Sequence, residues 1–215
     1  MSGGEDNVKA GRSYDSSRRR EQAEQRRVAT LEIARDSFLQ QGYSATTVDS
    51  VAAAAGVSAA TIYKTYGGKV GLMRAICRRA LEGTGDMPAE ERSNAIRAAA
   101  DSHEIVDAWG QLTAEVAPRV APLLLLLRRV ADTDAEAAAV LDDFERGRVA
   151  RMSENTRVLA DRGYLRTGVS LKEAADVMWF CTSPEIYDLL MVRRNWTRKK
   201  FAAFITQTLT AALLD

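Results

Sequence analysis

The side chains that carry covalent or metal chemistry are scarce in this 215-residue chain: one histidine, His103, and two cysteines, Cys77 and Cys181. A Ser or Cys nucleophile needs a general base within hydrogen-bond reach, and His103 has no nucleophile at a supporting spacing. Two thiols and one imidazole are too few for a disulfide framework or a structural metal site, so buried, reduced cysteines are expected. Gly83-Thr84-Gly85 opens like a dinucleotide fingerprint but lacks the third glycine and a preceding strand. Asp132-Thr133-Asp134-Ala135-Glu136 lacks the glycine and distal glutamate of a calcium loop and reads as a helix cap with first-turn acids. With no P-loop and no paired catalytic carboxylates, no enzyme activity, metal or cofactor is expected.

What the sequence offers instead is an uneven distribution of charge. The whole chain is nearly neutral at +1, with 46% hydrophobic and 27% charged residues. These are values of a globular protein, and they exclude a disordered or collagenous one. Residues 1–80 hold 13 Lys and Arg against 8 Asp and Glu, net +5, whereas residues 81–215 hold 17 against 21, net −4. A basic head on an acidic body points to a polyanion partner for the head and a separate task for the body. The first 27 residues lack an apolar core of a targeting signal, and the run Val120–Leu127 is far too short to span a membrane. A cytoplasmic protein with no membrane partner is the expectation.

The elements that must position the basic head are short helices. Residues 1–20 are Gly, Ser and charge without periodicity and are expected to form a disordered basic arm. Its Arg18, Arg19 and Arg20, with Arg26 and Arg27, are either a solvated tail or a segment that enters a DNA minor groove. From Glu21 to Gln41, Val28, Leu31, Phe38 and Leu39 recur at helical spacing. Thr46 and Asp49 are spaced as a capping box for a helix through Ala55, and Ser58 caps another to about Tyr66. A fourth helix runs from Lys69 to about Leu81. The two middle helices are joined through Gly56, with the small Ala52 one turn before the bend and Val48, Val51, Val57 and Ile62 as contacts between them. This is the pattern of a helix-turn-helix.

The segment GYSATTVDSVAAAAGVSAATIYKTYGGKVGLMRAI, within Val28–Ile76, resembles the N-terminal domain of the tetracycline-repressor (TetR) family. The resemblance rests on Phe38…Gly42-Tyr43, Thr47…Val51-Ala52, Ala55-Gly56-Val57-Ser58, Ile62-Tyr63-Lys64-Thr65-Tyr66 and Lys69. The chain departs from the family pattern at Thr65-Tyr66, Gly67-Gly68 and Val70. The resemblance implies that the second short helix lies in a DNA major groove. Phosphate contacts would then come from Thr47, Tyr63, Lys69 and the backbone amide of Ser58, and base-edge contacts from Ala59, Ala60, Thr61 and Lys64.

Beyond residue 81 several helical patterns follow, without strand alternation. Ile105, Trp109, Leu112 and Val116 form a stripe, and Pro118 and Pro122 are expected to break the chain and restart it into a leucine-rich helix. In the helix from Ala135 to about Arg162, Leu141, Phe144, Met152 and Leu159 share a face, and Arg148 and Asn155 fall in its middle. A buried Arg is costly unless paired, so Arg148 either meets a carboxylate from another helix or faces a cavity and a ligand. An effector site is accordingly placed on Trp109, Phe144, Arg148, Met152 and Asn155. Thr182-Ser183-Pro184-Glu185 reads as a second capping box, and Thr197 caps the last helix. The C-terminal region also resembles the dimer-forming helices of the same family, which makes the stripe of Phe201, Phe204, Ile205 and Thr208 the implied dimer interface.

The expectation is an all-α protein: an arm over 1–20, a helix-turn-helix domain over 21–80, and an effector-binding and dimerisation domain over 81–215. Its partners would be a double-stranded DNA operator, a second copy of itself and a small, mostly apolar effector of unknown identity. A dimeric regulator without an effector is the rival reading.

Overall fold

The computed structural model describes residues 6–83 and 85–215, and every regular element among them is helical. In chain order these are α1 (Asp6–Gln41), α2 (Val48–Ala55), α3 (Ala59–Tyr66), α4 (Lys69–Glu82), α5 (Ala89–Ile96), α6 (Ser102–Val130) and α7 (Ala135–Asp161). They are followed by α8 (Leu171–Cys181), α9 (Pro184–Tyr187), which continues as a π-helical turn over Asp188–Val192, and α10 (Arg198–Leu213). No helix among the described residues is long and apolar enough to cross a membrane.

The chain divides into two compact units, residues 1–72 and 73–215, and the division falls inside α4 rather than at residue 80. The later turns of α4 belong to the second unit for a visible reason. Arg74 pairs with Asp143 of α7 at 2.8 Å, and the Ala80 carbonyl accepts from Nε of Arg119 in α6 at 3.0 Å.

In the first unit α1 begins at Asp6, not at Glu21, so the disordered arm expected for 1–20 is helical from residue 6; residues 1–5 lie outside the described residues. Arg, Glu, Gln and Ala dominate residues 18–27, and these lose little rotamer freedom in a helix, which lets α1 propagate without an apolar face. Leu31, Ala34 and Phe38 are buried, as are Tyr43, Val48, Val51, Ala52 and Ile62. Phe38 and Tyr43 stack with centroids 5.6 Å apart.

The second unit is a helical body. One core cluster joins Ile105, Val106 and Trp109 of α6, Met152 and Leu159 of α7, Met178 of α8, and Phe201, Ile205 and Leu209 of α10. Pro118 and Pro122 do not break the chain: α6 runs through both. They stand four residues apart on one side, so the lost N–H donors leave the rest of the ladder intact, and the burial of Val120, Ala121, Leu123, Leu124 and Leu127 outweighs the defect. Helices α6 and α10 approach closely at Gly110, where a Cβ would lie 2.3 Å from Oγ1 of Thr206 and 3.2 Å from the Ala202 carbonyl oxygen.

Candidate functional site

The α2–α3 corner is built from local signals. Thr47 is the N-cap of α2, its hydroxyl accepting the Ser50 N–H at 3.0 Å while the Ser50 hydroxyl accepts the Thr47 N–H at 3.1 Å. The capping box is therefore Thr47/Ser50, one residue later than the Thr46/Asp49 pair. Thr46 is fully buried, and its hydroxyl donates to the Gly42 and Ser37 carbonyls, at 2.8 and 3.2 Å. Gly56 ends α2 in the left-handed conformation (φ 65°, ψ 30°), and the Val57 N–H reaches back to the Ala52 carbonyl at 3.0 Å. Buried Ala52 leaves room for the crossing; Val57 is half-buried.

Ser58 then caps α3, accepting from the Thr61 N–H at 3.1 Å and meeting the Thr61 hydroxyl at 2.8 Å. Only Ile62 of α3 is fully buried, and Ala60 and Lys64 lie opposite it on the helical wheel. Ala60, Thr61, Tyr63 and Lys64 are exposed and Ala59 is half-buried. Tyr63 keeps 56% of its surface exposed, unlike a ring packed into a core. Short, exposed, anchored by one isoleucine, α3 presents two methyls, a hydroxyl, a phenol and an ammonium to its surroundings.

Lys69 and Tyr66 are placed differently. The Lys69 ammonium sits 4.2 Å over the Tyr43 ring and donates to the Ser44 carbonyl at 3.4 Å, so it is held at the α1–α2 connection. Tyr66 is half-buried; burial raises its phenol above the usual range, which Arg27 of α1 opposes by charge and hydrogen bonding.

In the body, the five residues expected to meet an effector are distributed among protein contacts. Trp109 and Met152 are buried in the core, and the Trp109 indole N–H has no hydrogen-bond partner among the described residues. Phe144 is half-buried. Asn155 is buried and accepts from Nε of Arg97, the residue that follows α5, at 2.9 Å. Arg148 does pair, but with Glu145 one turn earlier on its own helix rather than with a carboxylate from another. It also donates to the Trp179 carbonyl at 2.6 Å and lies 4.8 Å from the centre of that ring. Burial lowers the Arg148 pKa from its ordinary value and Glu145 opposes the shift. Sequence periodicity found the buried arginine but not its partners, because Trp179 is more than thirty residues away. Thr182 is not the cap of α9 either: Ser183 is, accepting from the Ile186 N–H at 3.3 Å, while the Thr182 hydroxyl donates to the Met178 carbonyl at 3.1 Å. The reciprocal box at this end of the chain is Ser170/Glu173, ahead of α8.

The stripe expected to form a dimer interface is split. Phe201 and Ile205 are fully buried inside this one chain and have no surface to give a partner. Phe204 and Thr208 are half-buried, Phe204 meeting Trp196 edge-to-face at 5.7 Å. Large apolar side chains left exposed on the body include Val149 on α7, Leu171, Trp179 and Phe180 on α8, and Leu189 and Val192 on the π-helical turn. Periodicity marks the apolar face of a terminal helix without telling which neighbour covers it.

Residues 31–76 match the family model of bacterial regulatory proteins, tetR family. No curated protein matches the chain. Solved structures share its fold along most of its length. The complex of SmeT with triclosan superposes with a TM-score of 0.71 at 18% identity, over 88% of this chain and 92% of that one; SmeT is a multidrug efflux pump repressor of Stenotrophomonas maltophilia. NalD, the secondary repressor of the MexAB-OprM multidrug efflux pump in Pseudomonas aeruginosa, gives 0.68 at 20% identity over 90% and 98%. FadR, a fatty acid degradation regulator from Bacillus halodurans, gives 0.70 at 16% over 86% and 94%.

Proposed function

Because its N-terminal domain belongs to the tetR family of bacterial regulatory proteins, whose members are DNA-binding transcriptional regulators and not enzymes, we propose that this chain is a sequence-specific, homodimeric repressor. The observation that carries the reading is α3: capped at Ser58, anchored by Ile62 alone, and exposed along the side bearing Ala60, Thr61, Tyr63 and Lys64. An exposed helix of this kind fits a major groove, with its methyls against thymine and Lys64 toward guanine O6 and N7. Thr47, Tyr63, Lys69 and the Ser58 amide would hold phosphates, and Ala59 and Ala60 would meet base edges. Two-fold pairing sets two heads on successive grooves and calls for a pseudo-palindromic operator. With Phe201 and Ile205 consumed by the core, the pairing surface we assign is exposed Phe180, Leu189 and Val192 with Phe204 and Thr208.

Release by a small apolar effector completes the proposal. Supporting it is the buried Trp109 indole N–H, a donor that an effector's acceptor atom would satisfy. Such a molecule acts only through a difference in affinity between the DNA-bound and released states. The rival, a dimeric regulator without an effector, is favoured by one observation: Arg148 and Asn155 already have protein partners.

In vitro selection from a random duplex library at roughly 150 mM salt tests the main reading. Recovery of a pseudo-palindrome with half-sites one helical turn or a multiple apart supports it. Recovery of no sequence, with only weak salt-sensitive binding, removes it. Effector candidates are then screened by melting shift and by loss of binding to the selected duplex; a full screen without either effect leaves the rival.

A further inference from the structure

Between Thr30 and Phe38 the inward side of α1 is defined by the buried Thr30, Leu31, Ala34 and Phe38. At 100° per residue, Arg20 and Arg27 fall within about 40° of Leu31, Ala34 and Phe38, and Arg26 within about 40° of Thr30. Glu21 and Glu32 lie on the opposite side, beside half-buried Val28. The side of the helix that is apolar inside the domain thus becomes arginine where the helix leaves it. Arg20, Arg26 and Arg27 are exposed; Arg18, also exposed, falls on the opposite side, about 160° from Phe38, and Glu24 falls among the arginines, 3.9 Å from Arg27. Arg27 also marks where this stripe begins, because it bonds Tyr66, the last residue of α3. From Arg27 to Arg20 the stripe extends about 10 Å along the axis at 1.5 Å per residue.

An arginine stripe that starts at the C-terminal end of the recognition helix and continues outward is positioned for one kind of occupant. Duplex DNA carries a phosphate charge for about every 1.7 Å of its axis, and it already occupies α3 in the function proposed above. We infer that the N-terminal overhang of α1 is a second DNA-contacting element, which grips the duplex flanking the half-site. It does so as a rigid helix rather than as a flexible arm. The contacts are to phosphates, so they add affinity and footprint without adding sequence preference. This inference rests on the DNA-binding reading of α3.

The experiment uses the full-length protein and two duplexes built on the sequence recovered by selection: the minimal site, and the same site extended by 10 bp at each end. The variant R20Q/R26Q leaves Arg27, and its bond to Tyr66, in place. Wild type is expected to bind the extended duplex at least tenfold more tightly than the minimal one. Its plot of log affinity against log salt should be steeper on the extended duplex by about 3 to 4, the slope of roughly 0.9 per neutralised phosphate for two arginines on each of two protomers. The glutamine variant should lose both differences and bind the minimal duplex as wild type does. The lysine variant R20K/R26K should keep them, which separates lost charge from a damaged helix. Equal binding of both duplexes by wild type, or a glutamine variant that behaves as wild type on both, overturns the inference while the α3 reading stands. A wild-type protein that selects no duplex at all overturns both.

Discussion

Gly110 lies in the middle of α6, a 29-residue helix, where a glycine costs about 1 kcal/mol relative to alanine. Substitution Gly110→Ala would therefore stabilise the protein if nothing stood near. The structure says otherwise. The added methyl would lie 2.3 Å from Oγ1 of Thr206 and 3.2 Å from both the Ala202 carbonyl oxygen and the Thr206 amide nitrogen. The hydroxyl can rotate away, but it then gives up its hydrogen bond to Asp107, at 3.2 Å, worth about 1 kcal/mol. The two backbone atoms cannot rotate, and moving α10 by a few tenths of an ångström disturbs Phe201, Ala202 and Ile205, all fully buried. Overpacking of this kind costs about 1–3 kcal/mol. Setting the gain against the two losses, Gly110→Ala should destabilise by about 1–3 kcal/mol, a fall in Tm of roughly 2–10 °C for a chain of this size. Urea denaturation of wild type, G110A, T206A and the double variant measures it. In the double variant the closest clash is gone, so its loss should be smaller than the sum of the single losses. A G110A protein more stable than wild type, or losses that simply add, would refute the close approach of α6 and α10.

Four further outcomes follow from named contacts. Glu115 accepts both arms of the Arg92 fork at 2.6 Å, which holds its carboxyl down to about 2 against 4.5 unperturbed. A depressed folded pKa stabilises above the unfolded value and is lost as pH falls, so Tm should drop between about pH 4.5 and 2, with a smaller drop in Glu115→Gln. Burial pushes the Cys77 and Cys181 thiols up to about 12, so neither should react with a thiol reagent at pH 8 until the protein unfolds; rapid labelling of the native state would contradict their burial. Arg148→Ala removes the ion pair with Glu145 and one donor to the Trp179 carbonyl, while Arg128 still pairs with Glu145 at 2.8 Å and the Thr182 hydroxyl still donates to that carbonyl at 3.1 Å. It should cost about 1.5–3 kcal/mol in a denaturation experiment, and the loss in Arg148→Ala/Glu145→Ala should be smaller than the sum of the single losses; additive losses would mean that the pair is not coupled. Lys64→Ala should weaken operator binding by about 1–3 kcal/mol and relax preference at one base pair, whereas equal weakening on every duplex would reduce Lys64 to a phosphate contact.

Local chemistry made the head legible. Gly56, Ala52 and Ser58 act within one or two turns of themselves, and a left-handed bend, a small crossing residue and an N-cap leave the chain few alternatives. The same holds for Thr197 at α10 and for the bounds of α7. Where two local options competed one residue apart, as with Thr46 and Thr47, burial decided: the hydroxyl that could reach Ser37 and Gly42 went inside and its neighbour became the cap. The body was a different case. Its helices were readable from periodicity, which even picked out the buried Arg148 and Asn155, yet periodicity is a property of one helix and pairing is a property of two. The sequence by itself determined an all-helical chain with a helix-turn-helix near its basic end. Only the tertiary structure decided that Arg148 is held by Glu145 and Trp179, that α6 survives two prolines, and that Phe201 and Ile205 belong to the core. The reason is that hydrophobic attraction has no direction: an apolar stripe requires a cover, and which surface supplies it depends on how all the helices pack.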